Sequence, residues 1–273
     1  MNESITRSLS GIVYILLLIA ATLYSPISFI ALFGVFLFIA VNEFSRLANL
    51  DKAIPLIIAA AGFILFGPFF NNQAYVNLLL DAAALFISIS LLIELFKKGP
   101  ALPRDKTGRL VRLIGYVVIP FMLIIKLPFI SPRNNFDQSK YVIIGMFIII
   151  WANDTFAYVV GKSIGKRKLF ERISPKKTVE GFVGGMLFSL AGAYIIGLYY
   201  PILTPWQWMF FAAILVVFGT LGDLVESKLK RTAGVKDSGT IMPGHGGILD
   251  RLDSILFAIP FLFLYYQILN YVS

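Results

Sequence analysis

The sequence contains no cysteine and one histidine, and only 14% of its 273 residues are charged. Without cysteine, the chain cannot form disulfides, thiolate nucleophiles or cysteine-ligated metal sites. A single histidine also excludes a site built on several imidazoles. Any metal must therefore rely on oxygen ligands, which favours Mg²⁺, Mn²⁺ or Ca²⁺. Soluble proteins average about 25% charged residues, so the composition argues against a soluble domain.

Long apolar runs make up most of the chain. Hydrophobic residues account for 58% of the sequence, and the mean hydropathy is +0.81. About 20 apolar residues in a helix cross the ~30 Å hydrocarbon layer of a bilayer. Nine apolar runs are candidate spans: 9–24, 26–42, 54–70, 76–96, 110–130, 141–161, 179–200, 206–222 and 252–271. The first three are short, which leaves tilt, a re-entrant segment or a helical hairpin open for them. The sequence therefore predicts an all-α, polytopic integral membrane protein with about nine transmembrane helices.

The cations are distributed unevenly between the two sides of this predicted bundle. All but three of the 24 Lys and Arg residues lie at the N-terminus or in alternate connections; the exceptions are Lys126, Arg133 and Lys140. By the positive-inside rule, the N-terminus is cytoplasmic. The net charge of +9 thus reflects topology, and we expect membrane lipids rather than nucleic acid as partners.

Two pairs of carboxylates flank a polar block near the C-terminus. Asp223 and Glu226 end the eighth span, and Asp250 and Asp253 begin the ninth. If both stretches are helical, each pair shares one helix face. Two such faces meeting at the membrane boundary would gather like charges, and a divalent cation would relieve their repulsion. Solvated acids at two helix ends are the alternative for each pair taken alone.

The loop between these pairs combines cations with a glycine-rich turn. Next to a metal, its cations would neutralise phosphates during phosphoryl or nucleotidyl transfer; they are Lys228, Lys230, Arg231 and Lys236. Gly246 and Gly247 allow close approach of backbone amides to a ligand, although a simple turn explains the pair taken alone. His245 fits a general acid or base, a phosphate donor, or a loop residue bonded to backbone.

A second polar element lies upstream. Asp154 interrupts an apolar helix, which marks a candidate functional residue; a packing hydrogen bond with Asn153 is the alternative. Ser174, before a proline and the pair Lys176 and Lys177, resembles a helix start preceded by an anion-binding turn. The two lysines either contact a triphosphate or only follow the positive-inside rule.

Together these residues resemble the CDP-diacylglycerol synthase (phosphatidate cytidylyltransferase) family. The family pattern SxxKRxxxxKDxGxxxPGHGGxxDRxD is matched from Ser227 to Asp253 without a gap, and the upstream elements DTFAY and SPKKTxEG also fit. The close resemblance covers about the last 125 residues. It implies that phosphatidate and CTP react to give CDP-diacylglycerol and pyrophosphate, with Mg²⁺ and possible use of a second cation.

The resemblance also implies roles for individual residues. The expected catalytic residues are Asp223, Asp250, Asp253, Lys230, Arg231 and His245. The expected substrate-binding residues are Ser174, Lys176, Lys177, Lys236, Gly246, Gly247 and Arg251. The expected metal ligands are Asp154, Asp223, Glu226 and Asp250. Because a phosphate monoester is already ionised at neutral pH, the reaction needs no strong general base, which weakens the case for His245 as a base.

These expectations define one membrane domain, 1–273, with an N-terminal helical part, 1–140, for lipid and dimer packing, and a catalytic part, 141–273. We expect a homodimer in the inner membrane, with the active site facing the cytoplasm. Two alternatives remain at this stage. A CTP-dependent lipid kinase would transfer the γ-phosphate of CTP to the lipid. A cation or phosphate transporter would account for an aspartate within the membrane without catalysing a reaction.

Overall fold

The chain folds as a bundle of apolar helices with one small β-hairpin. This computed structural model describes residues 3–67, 73–103, 105–131 and 135–272. Its helices are α1 (Glu3–Tyr24), α2 (Pro26–Leu47), α3 (Ala53–Phe66), α4 (Ala74–Phe96), α5 (Lys106–Leu113), α6 (Ile119–Lys126), α7 (Phe136–Ile164), α8 (Val179–Tyr199), α9 (Pro205–Thr232) and α10 (Leu249–Val272). Strands β1 (Lys168–Phe170) and β2 (Ser174–Thr178) form the hairpin. The all-α membrane class is confirmed.

Eight helical segments of the described chain are long and apolar enough to cross a membrane. The third of the nine predicted spans is the exception, because α3 has only 14 residues. At 1.5 Å per residue it extends about 21 Å, which is short of the hydrocarbon thickness. The count of nine is therefore not confirmed. Residues 68–70, which the prediction included in this span, lie outside the described residues.

Helices α5 and α6 belong to one membrane span that is interrupted by a π-helical turn, Ile114–Val118. Within it, the Ile119 N–H donates to the carbonyl of Ile114, five residues earlier. Pro120 follows and has no N–H to continue the α-helical ladder. Tyr116 lies within this turn and is buried in the core at 1% exposure.

The basic connections meet at one face of the bundle, although Arg104, in one of them, lies outside the described residues, as does Arg133, one of the three exceptions. Four contacts join these connections. Ser10 donates to the carbonyl of Pro243, Arg109 to that of Ala48, and Arg172 to that of Leu95, while the Ala101 N–H donates to Thr232. The opposite face holds the contact of Lys140 with the carbonyl of Leu23. The grouping of cations that the sequence predicts is thus a physical face of the molecule.

The N-terminal and C-terminal parts share one core. Helix α10 packs against α9 and also against α2, α4 and α6. Leu256, Phe257 and Leu262 of α10 have no exposed surface, and Phe257 packs near Tyr116 of the π-helical turn. Residues from the first 140 positions therefore lie next to the start of α10, where two of the predicted site aspartates are found.

One local prediction was wrong. Ser174 does not begin a helix; it belongs to β2, which pairs antiparallel with β1. Helix α8 begins at Val179, and its N-cap is Thr178, whose hydroxyl accepts the Gly181 N–H at 3.1 Å. The Ser-Pro pair resembled a helix start because a side-chain oxygen ahead of a proline is typical of one. In the chain, Thr178 provides the cap four residues later.

Candidate active site

The glycine-rich loop forms a tight turn whose backbone requires glycine. The carbonyl of Met242 accepts the N–H of His245 at 2.9 Å, with Pro243 and Gly244 between them. Gly244 has a φ of +74° and Gly246 one of +85°, a region that favours glycine. A proline followed by a residue of positive φ is typical of a type II turn. A Cβ on Gly246 would also lie 2.5 Å from Oδ2 of Asp250.

Asp250 binds this loop to the start of α10. Its Oδ2 accepts the N–H of Ser238 at 2.8 Å, the hydroxyl of Ser238 at 2.9 Å and the N–H of Gly247 at 2.7 Å. Its Oδ1 accepts from Nζ of Lys230 at 2.6 Å. Only 5% of the side chain is exposed. Asp250 is therefore not a solvated acid at a helix end, since protein donors already occupy both of its oxygens.

Glu43, at the end of α2, is a second buried carboxylate that holds the same loop. Its Oε2 accepts the N–H of Leu249 at 2.8 Å and the hydroxyl of Ser238 at 3.3 Å, and its Oε1 accepts the N–H of Ile248 at 3.2 Å. A helix start leaves several N–H groups without partners and carries a partial positive charge. A carboxylate placed there accepts hydrogen bonds from these N–H groups and balances the partial positive charge. Glu43 therefore caps α10 from another helix.

Lys230 joins the two predicted carboxylate pairs. Both of their segments are helical, as the spacing argument required. Nζ of Lys230 lies 2.6 Å from Oε2 of Glu226 and 2.6 Å from Oδ1 of Asp250. The Glu226 side chain has no exposed surface, and that of Lys230 is 12% exposed. The buried charges therefore compensate one another and fix α9 to α10.

Asp223 lies on the more open side of this cluster. It forms an ion pair with Lys177 of β2, and it accepts from the hydroxyl of Ser227 at 3.3 Å. About a third of each side chain in the ion pair is exposed. The charge of Asp223 acts on Asp154 and on Asp253, and Lys177 lines one cavity together with Asp154. The hairpin thus brings a predicted phosphate-binding lysine to a predicted metal ligand.

A small polar cavity of about 20 Å³ lies beside this ion pair. Asp154 and Lys177 line it, together with Asn153, Thr220 and Ser254. The amide oxygen of Asn153 is buried and has no hydrogen-bond partner among the described residues. The space is about that of one water-sized sphere, so it can hold a single water or small ion next to Asp154.

Several predicted site residues point elsewhere. Arg231 lines a cleft on a different face of α9 from Lys230, and Lys236 lines another cleft of about 790 Å³ together with Arg46 and Arg109. Lys176 is exposed on β2, and Ser174 is half-buried at the hairpin turn. Sequence proximity suggested a single site. Helical periodicity separates Lys230 from Arg231 by about 100° around the axis.

His245 packs against the first helix. Its Nδ1 lies 2.8 Å from the hydroxyl of Ser10, and a Cβ on Gly11 would lie 3.2 Å from its ring. Burial, together with the positive charges of Arg251 and Arg7, lowers the pKa of His245. The imidazole is therefore neutral at pH 7. Arg251 is itself exposed, and its charge acts on both His245 and Asp154.

Sequence reasoning missed two residues at this site. Nothing in the local sequence of Glu43 connects it with residues 238–249. Tyr116 was not considered, since the π-helical turn that presents it has no periodic signal. Its buried hydroxyl has no hydrogen-bond partner among the described residues, and it lies within range of the charges of Glu226, Asp253 and Asp223.

The described residues contain no group of three or more His, Asp or Glu side chains suited to holding a metal ion. Magnesium, however, is commonly held by one or two carboxylates while waters and substrate phosphates complete its shell. Asp223 and Asp253 supply two carboxylates of that kind, and Oε1 of Glu226 is a buried oxygen with no hydrogen-bond partner in the described chain. The residues thus fit Mg²⁺ bound together with a phosphate ligand.

Comparison with known proteins agrees with the motif. The profile of the cytidylyltransferase family matches residues 5–269. The phosphatidate cytidylyltransferase of Staphylococcus saprophyticus is 35% identical over 260 residues, which cover 94% of this chain and 96% of that protein. The Bacillus subtilis protein of the same name is 52% identical over 136 residues, and that of Staphylococcus aureus strain COL is 46% identical over 151. These two alignments span 50% and 55% of this chain and 51% and 55% of the relatives.

Proposed function

The chain belongs to the cytidylyltransferase family, and we propose that it is a phosphatidate cytidylyltransferase. It transfers the cytidylyl group of CTP to phosphatidate and releases pyrophosphate. The observation that carries the proposal is the cluster at the ends of α9 and α10, where Lys177, Asp223, Lys230 and Asp250 meet. Such a mixture of cations and carboxylates at a membrane boundary suits a polyanionic nucleotide and a lipid phosphate.

In the reaction, an oxygen of the phosphatidate phosphate attacks the α-phosphorus of CTP. A new P–O bond forms there as the bond from the α-phosphorus to the oxygen bridging to the β-phosphorus breaks, and pyrophosphate leaves. The attacking oxygen carries no proton, because a phosphate monoester is largely dianionic at pH 7. His245, which is neutral and bonded to Ser10, is therefore not required as a base.

The charged residues divide this work between them. Lys177 and Arg251 are accessible to solvent and bind phosphate oxygens of the substrates. Lys230 and Asp250 are buried and hold the loop 238–249 in position. Mg²⁺ would be held by Asp223 and Asp253, where it would supply positive charge to the phosphates. Asp250 would join the metal only by giving up one of its present donors.

The proposal also states which side of the membrane the site faces and how many chains associate. The site faces the cytoplasm of the inner membrane, which the convergence of the basic connections on the site face supports. CTP then enters from water while the acyl chains of phosphatidate stay in lipid. We include a homodimer, supported by the apolar residues that α1 and α8 leave outside the bundle, such as Leu16 and Leu187.

The test uses detergent-purified protein with phosphatidate and CTP labelled with radioactive phosphorus at the α position. Label on lipid that requires Mg²⁺, together with pyrophosphate release, is the expected result. Label that reaches lipid only from the γ position would replace the proposal with a lipid kinase. Absence of transfer from either position, with folded protein and soluble phosphatidate, would favour a transporter.

A further inference from the structure

The polar end of α9 has two cationic faces. Lys230 points toward Glu226 and Asp250, as described above. Lys228 and Arg231 lie on the other face, toward the connection between α4 and α5 and toward the β-hairpin. The cations that sequence reasoning assigned to one phosphate site are therefore divided among three places, because Lys236 lines the separate cleft of about 790 Å³.

The second face lines a cleft of about 500 Å³. Four of its lining residues are cations from three separate segments of the chain: Lys98, Arg172, Lys228 and Arg231. Within the described part of the chain, no Asp or Glu lines this cleft. Like charges gathered around one space repel one another, and the repulsion is relieved when an anion occupies it.

Three of these cations donate to backbone carbonyls. Lys228 is 8% exposed, and its Nζ donates to the carbonyls of Glu94 and Lys97. Arg172 donates through Nη2 to the carbonyls of Leu95, at 3.1 Å, and Lys97, at 3.2 Å. Nη1 of Arg231 donates to the carbonyl of Val235 at 3.1 Å. Carbonyls contribute only partial charges, so these bonds leave most of the positive charge uncompensated.

The carboxylate of Glu94 compensates only part of this charge. Its charge acts on Lys228, and its Oε2 is buried without a hydrogen-bond partner among the described residues, but its Oε1 is paired with Arg112, which also donates to the carbonyl of Ala101. Glu94 lies beside the cleft and does not line it. Four cations thus surround the cleft with one shared carboxylate nearby, and none of the four forms an ion pair of its own in the described part of the chain.

Capping of α4 accounts for part of this arrangement. Cations at the C-terminal end of a helix satisfy its last carbonyls and its dipole, which explains Lys228 and Arg172. It does not explain Lys98 and Arg231, or the open space among the four. Arg172 also reaches both carbonyls through one nitrogen of a guanidinium that has five N–H donors. Donors therefore remain for a further acceptor.

We propose that this cleft binds a phosphate-bearing anion at a site separate from the carboxylate cluster. Two guanidinium groups and two ammonium groups around one space match the oxygens of a phosphate, which arginine binds in a bidentate manner. The phosphate is either free in water or the headgroup of an anionic lipid. Phe96, which is 64% exposed and packs on Phe170 of the hairpin, provides apolar surface near the cleft for the lipid case.

Two probes distinguish these sources, and both use the detergent-purified full chain. The first is inorganic pyrophosphate, titrated calorimetrically in EDTA, which keeps divalent metal from recruiting pyrophosphate to the carboxylate cluster. The second is dioctanoyl phosphatidylglycerol, followed by native mass spectrometry against dioctanoyl phosphatidylcholine. Both measurements use about 150 mM salt, where charges more than about 8 Å apart are largely screened.

The decisive variant is Lys98→Glu, and Lys52→Glu is its matched control. Both lysines are exposed and lie on the same face of the bundle, but Lys52 does not line the cleft. We expect Lys98→Glu to weaken binding of at least one probe by about tenfold or more, and Lys52→Glu to change it by less than about twofold. If Lys98→Glu weakens only pyrophosphate binding, the ligand of the cleft is a free phosphate. If it weakens only lipid binding, the ligand is a lipid headgroup.

The proposal is overturned if wild-type protein binds neither probe, or if Lys98→Glu binds both as tightly as wild type. Thermal unfolding of each variant checks the fold. If Lys98→Glu is unstable, Lys98→Gln removes the charge without reversing it and is expected to weaken binding by about threefold or more. None of these measurements depends on catalysis, so their failure and that of the proposed reaction are distinguishable.

Discussion

Glu43 and Leu249 join the second helix to the last, because Oε2 of Glu43 accepts the backbone N–H of Leu249 at 2.8 Å. The two residues are 206 positions apart in the chain. Through this bond a residue of the N-terminal part determines where α10 begins, and thereby where Asp250 and Asp253 lie. The division into a packing part, 1–140, and a catalytic part, 141–273, stays a prediction, but this contact crosses it.

The first prediction is that Glu43→Gln lowers both stability and activity. The amide is neutral and retains one acceptor oxygen, so all three hydrogen bonds to Glu43 lose their charge assistance and at least one donor loses its acceptor. We expect a loss of about 1–3 kcal/mol in the free energy of unfolding and slower turnover. Thermal unfolding in detergent and initial rates of lipid labelling measure the two effects. Glu171→Gln, an exposed change in the hairpin, is the control, and equal behaviour of both variants would contradict the role given to Glu43.

A second prediction concerns the lysine between two buried carboxylates. Lys230→Met leaves Glu226 and Asp250 buried without their cation, which typically costs about 3–5 kcal/mol. Adding Glu226→Gln removes one of the uncompensated charges. The double variant should therefore unfold at a higher temperature than Lys230→Met alone, while its turnover stays low. If the second change instead lowers stability by as much as it does in wild type, the residues are not coupled.

The motif residues show why part of this site was predictable and part was not. Spacing alone placed Asp223 with Glu226 and Asp250 with Asp253 on helix faces, because helical periodicity is a local property. The pairing of Lys230 with Asp250 and the separate location of Arg231 depend on the rotation of α9, which packing determines. Sequence reasoning therefore recognised the residue types, but it assigned Lys230 and Arg231, which lie on two faces of α9, to one site.

Long-range partners were not predictable for a similar reason. Glu43, Ser10 and Tyr116 reach the site through packing between helices, and their local sequences are those of ordinary apolar spans. The membrane class, in contrast, followed from composition, since hydrocarbon excludes unpaired backbone groups and leaves helices as the simplest spanning structure. The length of α3 was not predicted, because hydropathy reports how long an apolar run is and not where the helix within it ends.

The third prediction tests the close approach of a glycine to Glu43. A Cβ on Gly247 would overlap the carboxylate of Glu43, so Gly247→Ala must displace that side chain or the loop. We expect a loss of about 1–3 kcal/mol in stability and reduced turnover. Gly192→Ala is the control, because a Cβ there meets no atom within 4 Å. In the middle of α8 this change should be neutral or slightly stabilising. A Gly247→Ala protein with wild-type stability would show that the loop has more room than the structure indicates.

The fourth prediction separates two aspartates that sequence reasoning treated alike. Asp223 is a third exposed and Asp250 is 5% exposed with four protein donors. Asp223→Asn should therefore abolish most lipid labelling with little change in the unfolding temperature. Asp250→Asn should reduce both, because it removes the charge that pairs with Lys230 and leaves one oxygen for the donors of Lys230, Ser238 and Gly247. Titration of Mg²⁺ with any residual Asp223→Asn activity should show a higher half-saturating concentration. Wild-type turnover in Asp223→Asn would remove this residue from the proposed metal site.

The last prediction follows from the neutral imidazole at the glycine-rich turn. Burial and the nearby charges of Arg251 and Arg7 lower the pKa of His245 in the folded protein. In the unfolded chain the pKa of this histidine is about 6.5. Below that pH the unfolded state binds a proton that the folded state does not, so His245 favours unfolding as the pH falls. His245→Gln removes this linkage while it keeps a polar side chain near Ser10. Unfolding temperatures measured from pH 7.5 to pH 5 should fall less steeply for His245→Gln than for wild type, and parallel curves would mean that His245 does not titrate differently in the two states.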